Sequence, residues 1–317
     1  MKLTKENPFG LFLQPRKTPN TLNEREGHHV AFRVFRVFRG LAASLMLSVG
    51  LPTEAWSVEW EFPRNGGCHE GIAFADGTTG VLVWGGGDTI NLTVGRSDLR
   101  DRRGGCSWFP AQSYTNVFDY MFPLGRVVVK MRGRTVESGS LDPFSGLGDL
   151  VLDDGGRIEM AMSKSARAFA MNFPKGVECE VKTVPATDMP EYEGKLRKLK
   201  YEKAKVLDMP GSGVGGMRWK LPSDEGVWLS WVCKGPDFSL STGRGLDCAF
   251  MEARPFGLFA AESVGHWSGF WKEHNRVSVP DPAKQDALDY DMYRIGAMGG
   301  RRVDGKVTTE RQPPARR

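Results

Sequence analysis

The residues best suited to acid–base or ion-pair chemistry are concentrated between positions 68 and 105. They form the runs Cys68-His-Glu-Gly71, Ala75-Asp-Gly77, Gly95-Arg-Ser-Asp98 and Asp101-Arg-Arg-Gly-Gly105. Two carboxylates set either side of a glycosidic bond could protonate the leaving oxygen and attack or activate water. The same residues also fit turn chemistry and Arg–Asp pairs at strand ends. The interleaved glycines favour the second reading, so no catalytic residue is assigned. His69, Glu70, Arg96, Asp98 and Asp101 stand as binding candidates.

Other chemistries lack their spacing. Gly85-Gly-Gly is followed by a strand pattern and no Gly-Lys-Ser/Thr, so it is not a phosphate loop. Gly211-Ser-Gly-Val-Gly-Gly216 has part of a dinucleotide fingerprint but no preceding strand or βαβ context, and is expected to be a flexible loop. His266 and His274 flank an aromatic helix pattern and are read as packing or surface residues. No Ser occupies a G-x-S-x-G elbow. The five cysteines, Cys68, Cys106, Cys179, Cys233 and Cys248, contain no C-x-x-C pair. They are read as small buried hydrophobes, with one or two disulfides open and their connectivity undetermined. No metal and no cofactor are expected.

These side chains need strands to hold them. Gly80-Val-Leu-Val-Trp84 and Thr89-Ile-Asn-Leu-Thr-Val94 alternate around a glycine turn, the pattern of a hairpin. Val81, Val83, Ile90, Leu92 and Val94 are therefore predicted core residues. Asn91-Leu-Thr93 is a glycosylation sequon by pattern, and is read as chance within a strand. Further strands are predicted at Trp56–Phe62, Arg126–Met131, Gly148–Leu152, Arg157–Met162, Ala166–Phe173, Val177–Val184, Val227–Val232 and Leu246–Met251. Short strands without alternating helices indicate a mainly β protein, an antiparallel sandwich over 56–260. Pro190–Lys205 is charged and shows no apolar stripe, so it is expected to be a solvated short helix or a loop. From Glu262 the period becomes helical, with Trp267, Phe270, Trp271 and His274 on one face. Asp281-Pro282 is a helix start, and Leu288, Met292 and Ile295 form the next apolar face up to a stop at Gly299.

Charge is placed unevenly. The formal +5 comprises +5 on residues 1–40 and +4 on 300–317, leaving −4 on the middle. That middle gives no electrostatic warrant for nucleic-acid binding. Residues 33–55 read as a secretory signal: Arg33, Arg36 and Arg39, then the apolar stretch Leu41–Leu51, then Thr53-Glu-Ala55 as a cleavage site. The apolar stretch is too short to span a bilayer as a helix. Export to the periplasm or outside the cell is expected, with no membrane span after cleavage. Residues 1–30 are polar and carry scattered prolines, a disordered composition.

Two stretches resemble the bacterial glycoside hydrolases that join an N-terminal β-sandwich to a six-hairpin (α/α)6 barrel, the fucosidase-like kind. One is Gly71-Ile-Ala-Phe-Ala-Asp-Gly-Thr-Thr-Gly-Val-Leu-Val-Trp-Gly85 with Thr89–Asp101. There the family favours an Asp-Leu-Trp-Asp-like turn, and Asp98-Leu-Arg-Asp101 carries Arg100 in place of Trp. The other is Phe270-Trp-Lys-Glu-His274 with Val279-Pro-Asp-Pro-Ala283 and Tyr290–Met298, which looks like the linker helix and first barrel helix.

The resemblance covers Trp56 to Met298 and implies a supersandwich-like domain, with 261–299 opening a barrel; residues 300–317 depart from it and read by composition as a disordered basic tail. It implies a carbohydrate partner and sets the candidate residues on a loop facing the substrate cleft. It also puts the catalytic carboxylates in the barrel, so this chain reads as an N-terminal portion, truncated and inactive alone. Self-association through an uncovered helix at 283–298 is expected. Two other roles are a stand-alone carbohydrate-binding module, using Trp84, Trp108, Trp228 or Trp231 to stack on sugars, and a structural surface protein.

Overall fold

The structure, a computed structural model, describes residues 57–61, 71–101, 120–222, 224–303 and 306–309. All of them belong to the unit Trp56–Arg317. The predicted signal and the residues before it lie outside this set, as do His69, Glu70, Cys68, Cys106 and Trp108.

Two antiparallel sheets make up the body. The strands begin with β1 (Val58–Glu61), β2 (Ile72–Ala75), β3 (Thr79–Gly86), β4 (Thr89–Arg96), the two-residue β5 (Arg100–Asp101) and β6 (Tyr120–Met121), and β7 (Gly125–Met131). They continue with β8 (Val136–Asp142), β9 (Leu147–Leu152), β10 (Arg157–Ser163), β11 (Ala168–Asn172), β12 (Cys179–Pro185) and β13 (Lys205–Val206). The last long strands are β14 (Val214–Leu221), β15 (Asp224–Lys234) and β16 (Asp237–Arg244). The larger sheet runs β1-β8-β9-β10-β11-β16-β15-β14-β13 and the smaller β12-β7-β4-β3-β2. Their facing sides share one core, with Phe74 of β2 against Phe169 of β11 at 5.2 Å.

The predicted β3–β4 hairpin forms, with only Gly87 and Asp88 between the strands. Val81, Val83, Ile90, Leu92 and Val94 are at most 1 % exposed. Asn91 sits on the central strand β4, paired on both sides. The β9–β10 hairpin is also as expected. Pro174-Lys-Gly176 forms a turn between β11 and β12, the Val177 amide donating to Pro174 O, and carries the chain from the larger sheet to the smaller.

Several expectations are corrected. Leu246–Met251 is not a strand: β16 ends at Arg244, and Gly245 turns the chain out of the sheet with φ +80. Gly211–Gly216 is not a loose loop. Ser212 bonds Met209 O and the Val214 amide, a tight turn that feeds β14. Pro190–Lys205 contains a helix, α1 (Pro190–Lys198), that does have an apolar stripe. Tyr192 and Leu196 lie one turn apart and are buried.

Helix α2 (Phe256–Glu273) begins before Glu262 because Phe256, Phe259 and Ala260 pack on Ala161, Ala168 and Ala170. Three alanines on the outer face of β10 and β11 let the helix approach closely. Helix α3 (Pro282–Ala297) starts as predicted, Asp281 accepting from the Ala283 and Lys284 amides. Its buried face is Asp289, Tyr293, Gly296 and Ala297, one residue round from the predicted face. Leu288, Met292 and Ile295 are half-buried. The shift occurs because Arg276 neutralises the buried Asp289 with a two-pronged ion pair at 2.6–3.1 Å. A two-stranded ladder follows, β17 (Gly300–Val303) with β18 (Lys306–Thr309). Among the described residues no helix is long and apolar enough to cross a membrane.

Candidate functional site

Arg96 is the last residue of β4 and follows Val94 on the inward face, so its guanidinium enters the space between the sheets. Two residues on, Asp98 turns back to meet it. Arg96 Nε donates to Asp98 Oδ1 at 2.9 Å and Nη2 to Oδ2 at 2.8 Å. Its remaining prong, Nη1, donates to Thr242 Oγ1 at 2.7 Å, and Thr242 Oγ1 lies 2.8 Å from Thr79 Oγ1. Arg244 Nε stands 3.7 Å from Asp98 Oδ2. Thr79 and Arg96 belong to the smaller sheet, Thr242 and Arg244 to the larger, so the cluster links the two.

Burial raises the Asp98 pKa, but the Arg96 hydrogen bonds and the charges of Arg96 and Arg244 more than offset it. The carboxyl is held below its ordinary value. An acid held ionised, with both oxygens engaged, is poorly suited to deliver or take a proton. The structure thus brings Arg96 and Asp98 together as a strand-end pair. For Asp101 it gives only the β5 backbone, paired with Tyr120; His69 and Glu70 lie outside the described residues. Thr242 and Arg244, which complete the cluster, were missed in the sequence, where nothing marks a partner 146 residues away.

A second carboxyl has the opposite character. Asp142, in the β8–β9 turn, accepts from the Phe144 amide at 2.9 Å and from Ser145 Oγ at 2.5 Å. Burial outweighs those bonds and raises its pKa. This turn receives the helices: Trp271 Nε1 donates to Pro143 O at 2.9 Å, and Ser263 Oγ to Ser145 O at 3.0 Å. Trp267 stacks on Tyr293 at 4.4 Å, and Tyr293 donates to Ala73 O at 3.2 Å. Gly146, at φ +66, is required here because a Cβ would lie 2.1 Å from Trp267 Nε1.

The two described histidines are packing groups. His274 stacks on Phe270 at 4.2 Å and its Nδ1 meets Phe270 O. His266 lies edge-on to Trp267, its Nε2 buried without a hydrogen-bond partner. Burial and the nearby Lys164 charge push its pKa down to about 4. Cys179, Cys233 and Cys248 are free thiols, half-buried, and burial pushes Cys179 up to about 12. Among the described residues no group of His, Cys, Asp or Glu could hold a metal ion.

The aromatic candidates separate by depth. Trp231 is core, 4 % exposed, its Nε1 donating to Thr183 Oγ1. Trp84 is half-buried, bonded to Thr93 and covered by the Arg126 guanidinium at 4.7 Å. Trp228 stands on the outer face of the larger sheet, half-buried, between inward-facing Val227 and Leu229. Its cross-strand neighbours are Arg218 and Gly243, and Arg218 is paired in turn with Lys205. Both cations are exposed.

No protein-family model matches this chain, and no curated protein matches it.

Proposed function

We propose that this chain is the exported, non-catalytic β-sandwich part of a glycoside hydrolase of the six-hairpin type, serving carbohydrate recognition and support of a helical partner. The observation that carries the reading is the seating of α2 and α3. Trp267, Phe270 and Tyr293 enter the same core as the sheets, so the sandwich is a foundation for helices. The satisfied Arg96–Asp98 pair supports the non-catalytic half, because its carboxylate is committed to joining the sheets. The fucosidase-like sequence pattern supports carbohydrate as the partner, and the outer-face Trp228 supplies an aromatic surface of the type sugars stack on.

The test is a screen of the purified chain against aryl glycosides and oligosaccharides, with binding followed by affinity electrophoresis. Retarded migration without turnover is expected. Turnover that Asp98→Asn abolishes in a still-folded protein would overturn the reading. Export is tested by N-terminal sequencing from the native host, with a start near Trp56 expected and an intact Met1 counting against it.

A further inference from the structure

Gly243 lies within β16, paired to Trp228 on β15. Its φ is not in the left-handed region, so the backbone there does not call for glycine. Glycine inside a strand weakens it, and often marks a close approach. The close approach here is by the indole. A Cβ at 243 would come 2.2 Å from Trp228 Cε2 and Cζ2. Gly243 is therefore a shelf on which the ring lies. Lys205, Arg218, Trp228 and Gly243 form one row across four neighbouring strands. Among the described residues, no ion pair occupies Lys205 or Arg218; Arg218 gives one hydrogen bond to Cys248, and the rest of its five-donor fork is left for a ligand.

We infer that this row binds a pyranoside chain carrying anionic groups, one sugar stacked on Trp228 and its neighbours' carboxylate or sulfate groups held by Arg218 and Lys205. The inference rests on the carbohydrate reading above and names its substrate class. Adjacent strands are about 4.8 Å apart, close to the length of one pyranose unit, so successive strands present partners to successive sugars. Arg218 offers a planar fork that matches a carboxylate or sulfate, and Lys205 a point charge. Nucleic acid fits poorly. A duplex carries one charge per ~1.7 Å, a denser array than cations on adjacent strands about 4.8 Å apart can match.

Affinity electrophoresis of the full chain would use polygalacturonate, dextran sulfate, neutral dextran and polyphosphate. Strong retardation by one or both anionic polysaccharides is expected, with dextran inert; which of the two retards more identifies uronate or sulfate ester as the recognised group. Trp228→Ala, Gly243→Ala and Arg218→Gln should each weaken binding at least tenfold, while Trp228→Phe retains most of it. Unchanged melting temperatures show that the variants are folded, and the exposed Arg218→Gln serves as the test if Trp228→Ala does not fold. Polyphosphate binding as strong as saccharide binding, or saccharide binding that ignores Trp228 and Arg218, overturns the inference. If a neutral glycan binds and Trp228→Ala leaves that binding intact, this site fails while the carbohydrate reading survives. If no saccharide of any kind binds, both fail.

Discussion

The Arg96–Asp98 bridge joins the two sheets with charge, whereas the β8–β9 turn joins the helices to the larger sheet with aromatic rings. At the bridge each nitrogen of the Arg96 fork has a partner: Arg96 reaches Asp98 and Thr242, and Thr242 reaches Thr79. At the socket Trp267, Phe270 and Tyr293 supply buried area, and polar atoms only fix orientation. Burying a charge pair gains little net energy, because desolvation opposes the attraction. Burying aromatic rings gains energy roughly in proportion to area. The bridge accordingly fixes how the sheets meet, and the socket contributes more of what holds the layers together. Two acids report the difference. Asp98 is held ionised by cations; Asp142, in the socket with no cation bonded to it, is pushed towards its neutral form.

The socket should be the more costly to damage. Trp267→Ala removes a ring that touches Phe270, Tyr293 and Gly146, and should destabilise by about 3–5 kcal/mol. Urea unfolding measures it, and a loss below about 1 kcal/mol would show that α2 contributes little to the core. Asp98→Ala should cost somewhat less, about 2–4 kcal/mol. The variant leaves the Arg96 charge 7 % exposed without its carboxylate, but Asp98 itself is 29 % exposed. Because the Asp98 pKa is depressed on folding, its contribution is present above the ordinary aspartate value and disappears as pH falls through the lower folded value. Asp98→Ala should therefore lose its penalty in strong acid. A penalty independent of pH would mean that packing, and not charge, is what the bridge supplies.

Sequence legibility follows the same division. The β3–β4 hairpin was legible because its inward valines and leucines alternate with outward polar residues. The α3 start was legible because capping is local, Asp281 reaching amides two and three residues on. Strands β14 and β16 were missed. β16 reads Asp-Phe-Ser-Leu-Ser-Thr, without apolar outward residues; its Ser241 meets Ser230 of β15 at 3.2 Å, and Ser230 Oγ lies 3.5 Å from Ala249 O in the chain that leaves β16. The start of α2 and the true face of α3 depended on distant partners, alanines on β10 and β11 and Arg276. The Arg96–Asp98 pair was readable as a strand-end pair, but not its bond to Thr242. The Trp228 row exists only in the register of four strands.

A third, smaller effect lies on α2. His266 has a folded pKa of about 4 against an ordinary value of 6.5, with burial the leading cause and Lys164 the second. A depressed pKa contributes stability above the unfolded value that is lost as pH falls towards the folded one. Between pH 6.5 and 4 the protein should therefore lose stability, and His266→Gln should flatten that loss. The groups nearby are Lys164, which donates to Gly296 O, and Glu262, which is bound to Ser163 and Arg254. An unchanged slope in His266→Gln would mean that another group carries the acid sensitivity.

The smallest expected change, Asp142→Asn, separates charge from shape. Asparagine matches aspartate in volume and can keep both contacts: its carbonyl accepts the Phe144 amide, and its NH2 donates to Ser145 Oγ, a hydroxyl that can act as acceptor. In acid, where Asp142 is protonated, the variant should differ little from the parent. A pKa raised by folding works against stability in the other direction from Asp98. The contribution is fully present below the unfolded value and is lost as pH rises through the folded one. The parent should lose stability across that interval, and the asparagine variant should not, so the two curves separate with rising pH and the variant ends the more stable. Denaturant midpoints from pH 3 to 8 measure the separation. Parallel curves would show that Asp142 titrates alike in the folded and unfolded chains, and that the socket tolerates charge as readily as the bridge does.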